Sequence, residues 1–202
     1  FGDYSQAIPG KGVILSNAEI TDANVGLEIN GGVLADINGL DIDDVAQYGV
    51  ITTGTNSLFL DGLDISDSGA GANSNYGFYT ESLSAGVQQI SNSAFDGLGT
   101  AIYLTNDVST TISSTTVSNS DFGLRVGAQS SANHIVDTMT LSNNDVGISA
   151  EGTGDLAMND VSLNSITTDI EITDSSTVSF LDGSVDQAKV SISSTATGTF
   201  DR

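Results

Sequence analysis

Leu-Ser-Asn-Ala-Glu-Ile-Thr-Asp-Ala-Asn-Val-Gly-Leu-Glu-Ile, residues Leu15 to Ile29, is the unit from which the chain is built. It divides into three short pieces of alternating apolar and polar residues, separated by Ser-Asn and by Thr-Asp-Ala-Asn. Alternation over so few residues predicts strands, and Asn, Asp and Gly between such runs predict turns. The same pattern returns about every 22 residues along the 202-residue chain.

Aligned on the apolar residue that ends the middle piece, the copies form the column Ile20, Ile42, Ile65, Phe95, Val117, Leu141, Leu163, Val185. The steps are 22, 23, 30, 22, 24, 22 and 22 residues. Five positions earlier runs Leu15, Ile37, Leu60, Ile90, Ile112, Val136, Met158, Phe180. In the last piece runs Leu27, Val50, Phe78, Ile102, Leu124, Ile148, Ile170, Val190. Every member of the three columns is apolar. A meander of antiparallel hairpins would not keep one period in three ladders.

One such coil cannot bury its own apolar side chains. Stacked coils, about 4.8 Å apart, place like over like and make the interior continuous. The expectation is an all-β solenoid of about eight coils, with three strands per coil forming three parallel sheets. Bends fall at Ser16-Asn17, Asn38-Gly39, Asp61-Gly62, Ser91-Asn92, Ser113-Ser114, Asp137-Thr138, Asn159-Asp160 and Leu181-Asp182, whose residues tolerate left-handed backbone angles. Gly26, Gly49, Gly77, Gly123 and Gly147 are read as a second column of bends.

Pieces such as Asn-Asp-Val-Gly-Ile (Asn144 to Ile148) and Ser-Asp-Phe-Gly-Leu (Ser120 to Leu124) resemble the 22-residue repeat of right-handed parallel β-helices of the pectate-lyase-like superfold. The resemblance runs over residues 12 to 195. It implies a right-handed helix and leaves activity open, because the superfold hosts lyases, hydrolases, adhesins and phage tailspikes. Residues 1–202 are read as a single domain with no internal linker. Neither end has a recognisable cap, and the chain opens on Phe1. A segment of a longer surface or secreted protein is therefore expected, or one that stacks end to end with itself.

Charge narrows the partners. There are 26 acidic residues against 4 basic ones, a formal net charge of -22. Nucleic acid needs basic surface to displace counterions, and an anionic membrane is disfavoured in the same way. The acidity suits solubility in salt and points to a halophilic or marine source. With no cysteine, disulfides and thiolate chemistry are excluded, and a single histidine, His134, excludes a multi-histidine metal site. No apolar run reaches the roughly 20 residues of a membrane span.

Outward positions carry whatever function there is. Between the apolar residues of the last piece lie Glu28, Ile51, Tyr79, Tyr103, Arg125, Ser149, Glu171 and Ser191. Tyr79, Tyr103 and Arg125 form an exposed ladder beside the 30-residue step, whose extra residues centre on Ser68 to Asn75. Insertions in solenoids become loops, often on the binding face. Aromatic faces with a guanidinium suit a glycan, and Tyr76 frames the site or folds over it. On the middle piece the outward column begins Glu19, Asp41, Asp64 and then becomes Ala94, Thr116, Thr140, Ser162, Ser184. Three carboxylates at rung spacing repel unless a cation or salt screens them, so Ca²⁺ is the candidate ion and a solvated acidic face the simpler reading.

The resemblance also implies an enzyme alternative, a polysaccharide lyase or glycoside hydrolase. Lyases of this superfold combine acidic calcium ligands with an Arg or Lys base. Here Arg125 alone lies mid-solenoid on a sheet face, on a different sheet from the acidic column. The polygalacturonase pattern resembles an Asp pair, which Asp43-Asp44 supplies, but Ile135 follows His134 and no Arg-Ile-Lys occurs. His134, at the start of a first strand, is read as structural. Threonines such as Thr116 and Thr140 are too patchy for an ice-binding ladder. The expectation is a non-catalytic extracellular structural or recognition domain, adhesin-like, with polysaccharide or a cell-surface glycan as partner.

Overall fold

The structure, a computed structural model, describes residues 12–32, 34–55, 57–67, 75–105, 107–128, 130–164, 166–173, 177–185, 189–192 and 197–201. The insertion at 68–74, the segment before Gly12 and residues 193–196 lie outside the described residues, and with them most of the expected loop and end segments. All regular structure among the described residues is strand. The strands stack in parallel as a β-solenoid of about seven turns.

The period of 22 works because each strand pairs with its own copy one coil away. Leu15 lies beside Ile37, Ile37 beside Leu60, and Leu60 beside Ile90. The last column pairs likewise, from Leu27 with Val50 to Ile170 with Val190. These pairings form an eight-stranded sheet from Val25–Asn30 to Val190–Ile192, whose eight rungs bound the seven turns.

The expected three sheets are two hydrogen-bonded sheets. The first and middle pieces of each coil belong to one 12-stranded sheet, folded along a line. In coils such as Val13–Thr21 and Thr110–Ser118 a single strand runs through the fold. In others it splits, as at Ser57–Asp61 and Asp64–Ser66. The fold line is one left-handed residue per coil: Asn17, Gly39, Gly62, Asn92, Ser114, Thr138, Asp160 and Asp182, with φ between 48° and 67°. These are the second residues of the eight predicted bend pairs. Most are Asn, Asp or Gly, for which left-handed angles are least costly.

The glycine column has a different cause. None of Gly26, Gly49, Gly77, Gly123 and Gly147 is left-handed. A Cβ on Gly49 would lie 2.7 Å from the Gly77 carbonyl oxygen and 2.7 Å from Ile65 Cγ2. These glycines allow backbone and core to approach. The second bend is made instead by Asp22, Asp44, Gly97, Asn119 and Asn143, all left-handed, two residues after the middle column.

The three apolar columns are the core. All members are buried except Leu15, Ile20, Leu27 and Val185, which pack against it, and Val190, 37 % exposed on the last rung of its sheet. Each fully buried Leu, Ile, Val or Phe contributes about 1.5–3 kcal/mol. Polar side chains bond along the stacking axis at the corners. Asp61 accepts from Asn92 Nδ2 at 2.6 Å and Ser91 Oγ at 2.8 Å, and Asp96 accepts from Ser118 Oγ and Asn119 Nδ2 at 2.6 Å each.

Candidate functional site

The eight-stranded sheet turns its outward face into an aromatic strip. Strands Tyr48–Thr55, Tyr76–Ala85, Thr100–Leu104 and Phe122–Val126 are consecutive rungs of it. Their register aligns Ile51, Tyr79, Tyr103 and Arg125, as the outward column predicts. Four of the five tyrosines of the chain gather here, each half-buried. Tyr76 is the first residue of its strand. It stacks nearly parallel to Tyr48 on one rung (centroids 5.4 Å, 14°) and to Tyr103 on the other (5.7 Å, 16°). Tyr79 tilts against Tyr48, Tyr76 and Tyr103 at 5.1–5.5 Å. Pairs in such geometry are each worth about 0.5–1.5 kcal/mol beyond area burial.

The rings engage one another along the solenoid axis. Tyr76 has a near-parallel neighbour on both sides, so hydroxyls and ring edges are what it keeps for a ligand. Burial raises the pKa of Tyr48, Tyr79 and Tyr103 above the usual phenol value. Glu81 adds to the rise at Tyr48 and Tyr79, whereas Arg125 opposes it at Tyr103. The phenols therefore stay protonated donors at neutral pH. Gly127 makes room for the strip: a Cβ there would lie 2.9 Å from both Cε2 and Oη of Tyr103.

Arg125 closes the strip, and it is not a free cation. Its Nε donates to Glu151 Oε1 at 2.8 Å, and its Nη2 lies 2.8 Å from the same oxygen. Its guanidinium sits 4.9 Å from the Tyr103 ring centre and 5.2 Å from that of Phe122. Ser149 Oγ, on the next rung, also donates to Glu151 Oε1 at 3.3 Å.

Sequence reasoning did not place Tyr48, Phe122 or Glu151 in this site. Glu151 was findable, because it stands two residues beyond Ser149, the register partner of Arg125. Tyr48 and Phe122 were not. Strict alternation puts a residue two before inward Val50 or Leu124 inside, yet their rings lie with the outward groups.

The acidic column is on the 12-stranded sheet, away from Arg125, as expected. Glu19, Asp41 and Asp64 stand exposed on consecutive rungs. The Asp64 carboxyl is pushed above the usual carboxylate range, first by partial burial and then by Asp41, Asp96 and Asp43. Asp43 accepts from Ser66 Oγ at 2.6 Å. Among the described residues no three His, Cys, Asp or Glu side chains converge to hold a metal ion. The column is a line of mutually repelling charges.

His134, the only histidine, is 1 % exposed at the start of strand His134–Ser142. Thr110 N–H donates to its Nδ1 at 3.3 Å, which places the ring proton on Nε2, 2.9 Å from Ser130 Oγ. Burial lowers its pKa to about 4. The ring is a neutral core element, with no part in the strip.

Among the described residues no helix is long and apolar enough to cross a membrane. Comparison with protein-family models, with curated proteins and with solved structures finds no match for this chain.

Proposed function

We propose that this solenoid is a non-catalytic recognition domain of the cell surface or of a secreted protein, and that the tyrosine strip is its glycan-binding site. It is read as a right-handed β-helix of the pectate-lyase-like kind, on the repeat alone. The observation that carries the binding reading is the gathering of Tyr48, Tyr76, Tyr79 and Tyr103, half-exposed, on three neighbouring rungs of one sheet. Protonated phenols present donors and apolar edges together, the combination that polyhydroxylated ligands match.

The lyase alternative needs an Arg or Lys free to take a proton beside clustered carboxylates. Arg125 is committed to Glu151 and stacked on Tyr103, while the acidic column occupies the other sheet. That arrangement favours binding over turnover.

The test is affinity electrophoresis through gels cast with individual polysaccharides, comparing the protein with Tyr79→Ala and Tyr103→Ala. Retardation by at least one polymer, weakened about tenfold or more in both variants while far-UV circular dichroism is kept, is the expected result. Equal retardation of all three proteins would remove the strip as the site. Unsaturated or reducing-end product from any polymer would overturn the non-catalytic part.

A further inference from the structure

We infer that the strip accepts uncharged polysaccharide and rejects polyuronates and sulfated glycans. The inference rests on the glycan reading above and adds the ligand's charge class to it.

Sequence pattern alone makes Arg125 look like an anion receptor, because a guanidinium recognises carboxylates through paired donors. The structure spends those donors internally. Nε and Nη2 both meet Glu151 Oε1, at 2.8 Å each, and the guanidinium plane is laid against Tyr103 and Phe122. The pair is net neutral, so an incoming carboxylate would have to compete with one already in place.

The remaining charges around the rings are negative. Glu81 is close enough to Tyr48 and Tyr79 to shift both phenols upward. Glu28 and Glu171 stand in the same outward column as Tyr79 and Tyr103, Glu28 two rungs before Tyr79 and Glu171 three rungs after Tyr103. Among the described groups of this face, Glu28, Glu81, Glu151 and Glu171 outnumber Arg125 and Lys189, and Lys189 lies at the far end, its Nζ 3.3 Å from Thr168 Oγ1. A uronate or sulfate on every sugar would meet these carboxylates in the middle of the strip, at Glu81, and at both of its ends.

The whole chain adds to the effect. A net charge of -22 repels a polyanion before contact, over a screening distance of about 10 Å at 0.1 M salt. Neutral sugars meet no such barrier, and their hydroxyls and C–H faces match the phenol hydroxyls and ring edges on offer.

The experiment uses the intact chain in gels containing neutral β-glucan, galactomannan, polygalacturonate or alginate, at 20 and 200 mM NaCl. A neutral polymer is expected to retard the protein at both salt concentrations, with polygalacturonate and alginate at least tenfold weaker. Glu151→Gln removes the internal partner of Arg125 without emptying its place. It is expected to raise polygalacturonate retention at least fivefold at 20 mM, and the gain should vanish at 200 mM. Uronate binding as tight as neutral binding, or no gain from E151Q, would overturn the charge-class inference and leave the glycan site standing. Retardation by no polymer, neutral or charged, would overturn both.

Discussion

Acid should loosen this solenoid through one side chain before its carboxylates matter. His134 is buried, with its pKa lowered from 6.5 to about 4 by burial. Geometry works in the same direction. Nδ1 accepts from Thr110 N–H at 3.3 Å, so a second ring proton would set two donors face to face. The folded state disfavours the proton that the unfolded chain takes up below pH 6.5. Stability is fully present above 6.5, falls as pH drops through the window from 6.5 to about 4, and levels off below it. Roughly two and a half pH units at about 1.36 kcal/mol each give a loss of about 3 kcal/mol, of which about 1 kcal/mol is gone by pH 5.5. That is a large share of the about 5–15 kcal/mol of a typical domain. Partial neutralisation of the -22 net charge acts oppositely over part of this range, so the readout is a difference. His134→Gln keeps an acceptor for Thr110 and a donor for Ser130, and does not titrate. Gln is already the resident at Gln88, which pairs with Thr110 from the preceding rung. Denaturant unfolding at pH 7.0, 5.5 and 4.5, followed by far-UV circular dichroism, should show the protein losing about 2 kcal/mol more than the variant by pH 4.5. Parallel loss in both would refute the assignment.

The acidic column gives a second prediction. Because burial and Asp41, Asp96 and Asp43 hold the Asp64 carboxyl above its usual range, its charged form opposes folding at neutral pH, and the opposition fades as pH falls toward its unfolded value. Asp64→Asn should raise Tm at pH 7, less so in 1 M NaCl, and an unchanged or lowered Tm at pH 7 would contradict it. With no converged metal site among the described residues, CaCl₂ and NaCl at matched ionic strength should raise Tm equally; a calcium-specific rise would restore the ion at Glu19, Asp41 and Asp64. Gly49→Ala should cost about 1–3 kcal/mol or more by overpacking Ile65 and the Gly77 backbone, measured by denaturant unfolding, and a neutral effect would refute the packing role of that column. Gly127→Ala meets first the far end of the Tyr103 ring, so stability by denaturant unfolding should hold within about 1 kcal/mol while glycan retardation weakens.

What was legible in the sequence was what the solenoid repeats. Leu15, Ile20 and Leu27 head columns whose register pairs are the ones the alignment implies, because a single stacking rule acts on every coil. The bend pairs were legible for the same reason: left-handed angles select Asn, Asp and Gly, and the selection recurs once per coil. Gly49 misled, because a glycine that admits a neighbouring backbone and one that supplies a left-handed angle look alike in sequence. Of the site, Tyr79, Tyr103 and Arg125 followed from simple alternation. Tyr48 and Phe122 did not, because they stand where alternation breaks at the start of each strand. The pairing of Arg125 with Glu151 depends on side-chain conformation, which no column records.

Inward and outward columns answer to different demands, and the two tyrosine rungs show it. Phe78 and Ile102 are fully buried, while their neighbours Tyr79 and Tyr103 point outward into the strip. An outward residue can change without disturbing the inward one beside it, so a solenoid can acquire a binding strip over a few rungs while its core stays as it is. The interior grants no such freedom. The buried column that runs Leu58, Gln88, Thr110, His134, Leu156, Val178 turns polar for three rungs, and there each group needs its neighbour. Thr110 Oγ1 donates to Gln88 Oε1 at 2.8 Å, and its backbone N–H donates to His134. Among the described residues Gln88 Nε2 has no partner in its buried position, a cost of about 1–3 kcal/mol. An apolar residue at any one of the three strands the others, and apolar residues at all three still leave the residue-110 backbone N–H and Ser130 Oγ without the His134 ring. Such a triple variant should be less stable than the protein at pH 7, by the lost partner of the residue-110 N–H, and should close most of that gap by pH 4.5, where only the protein carries the His134 penalty.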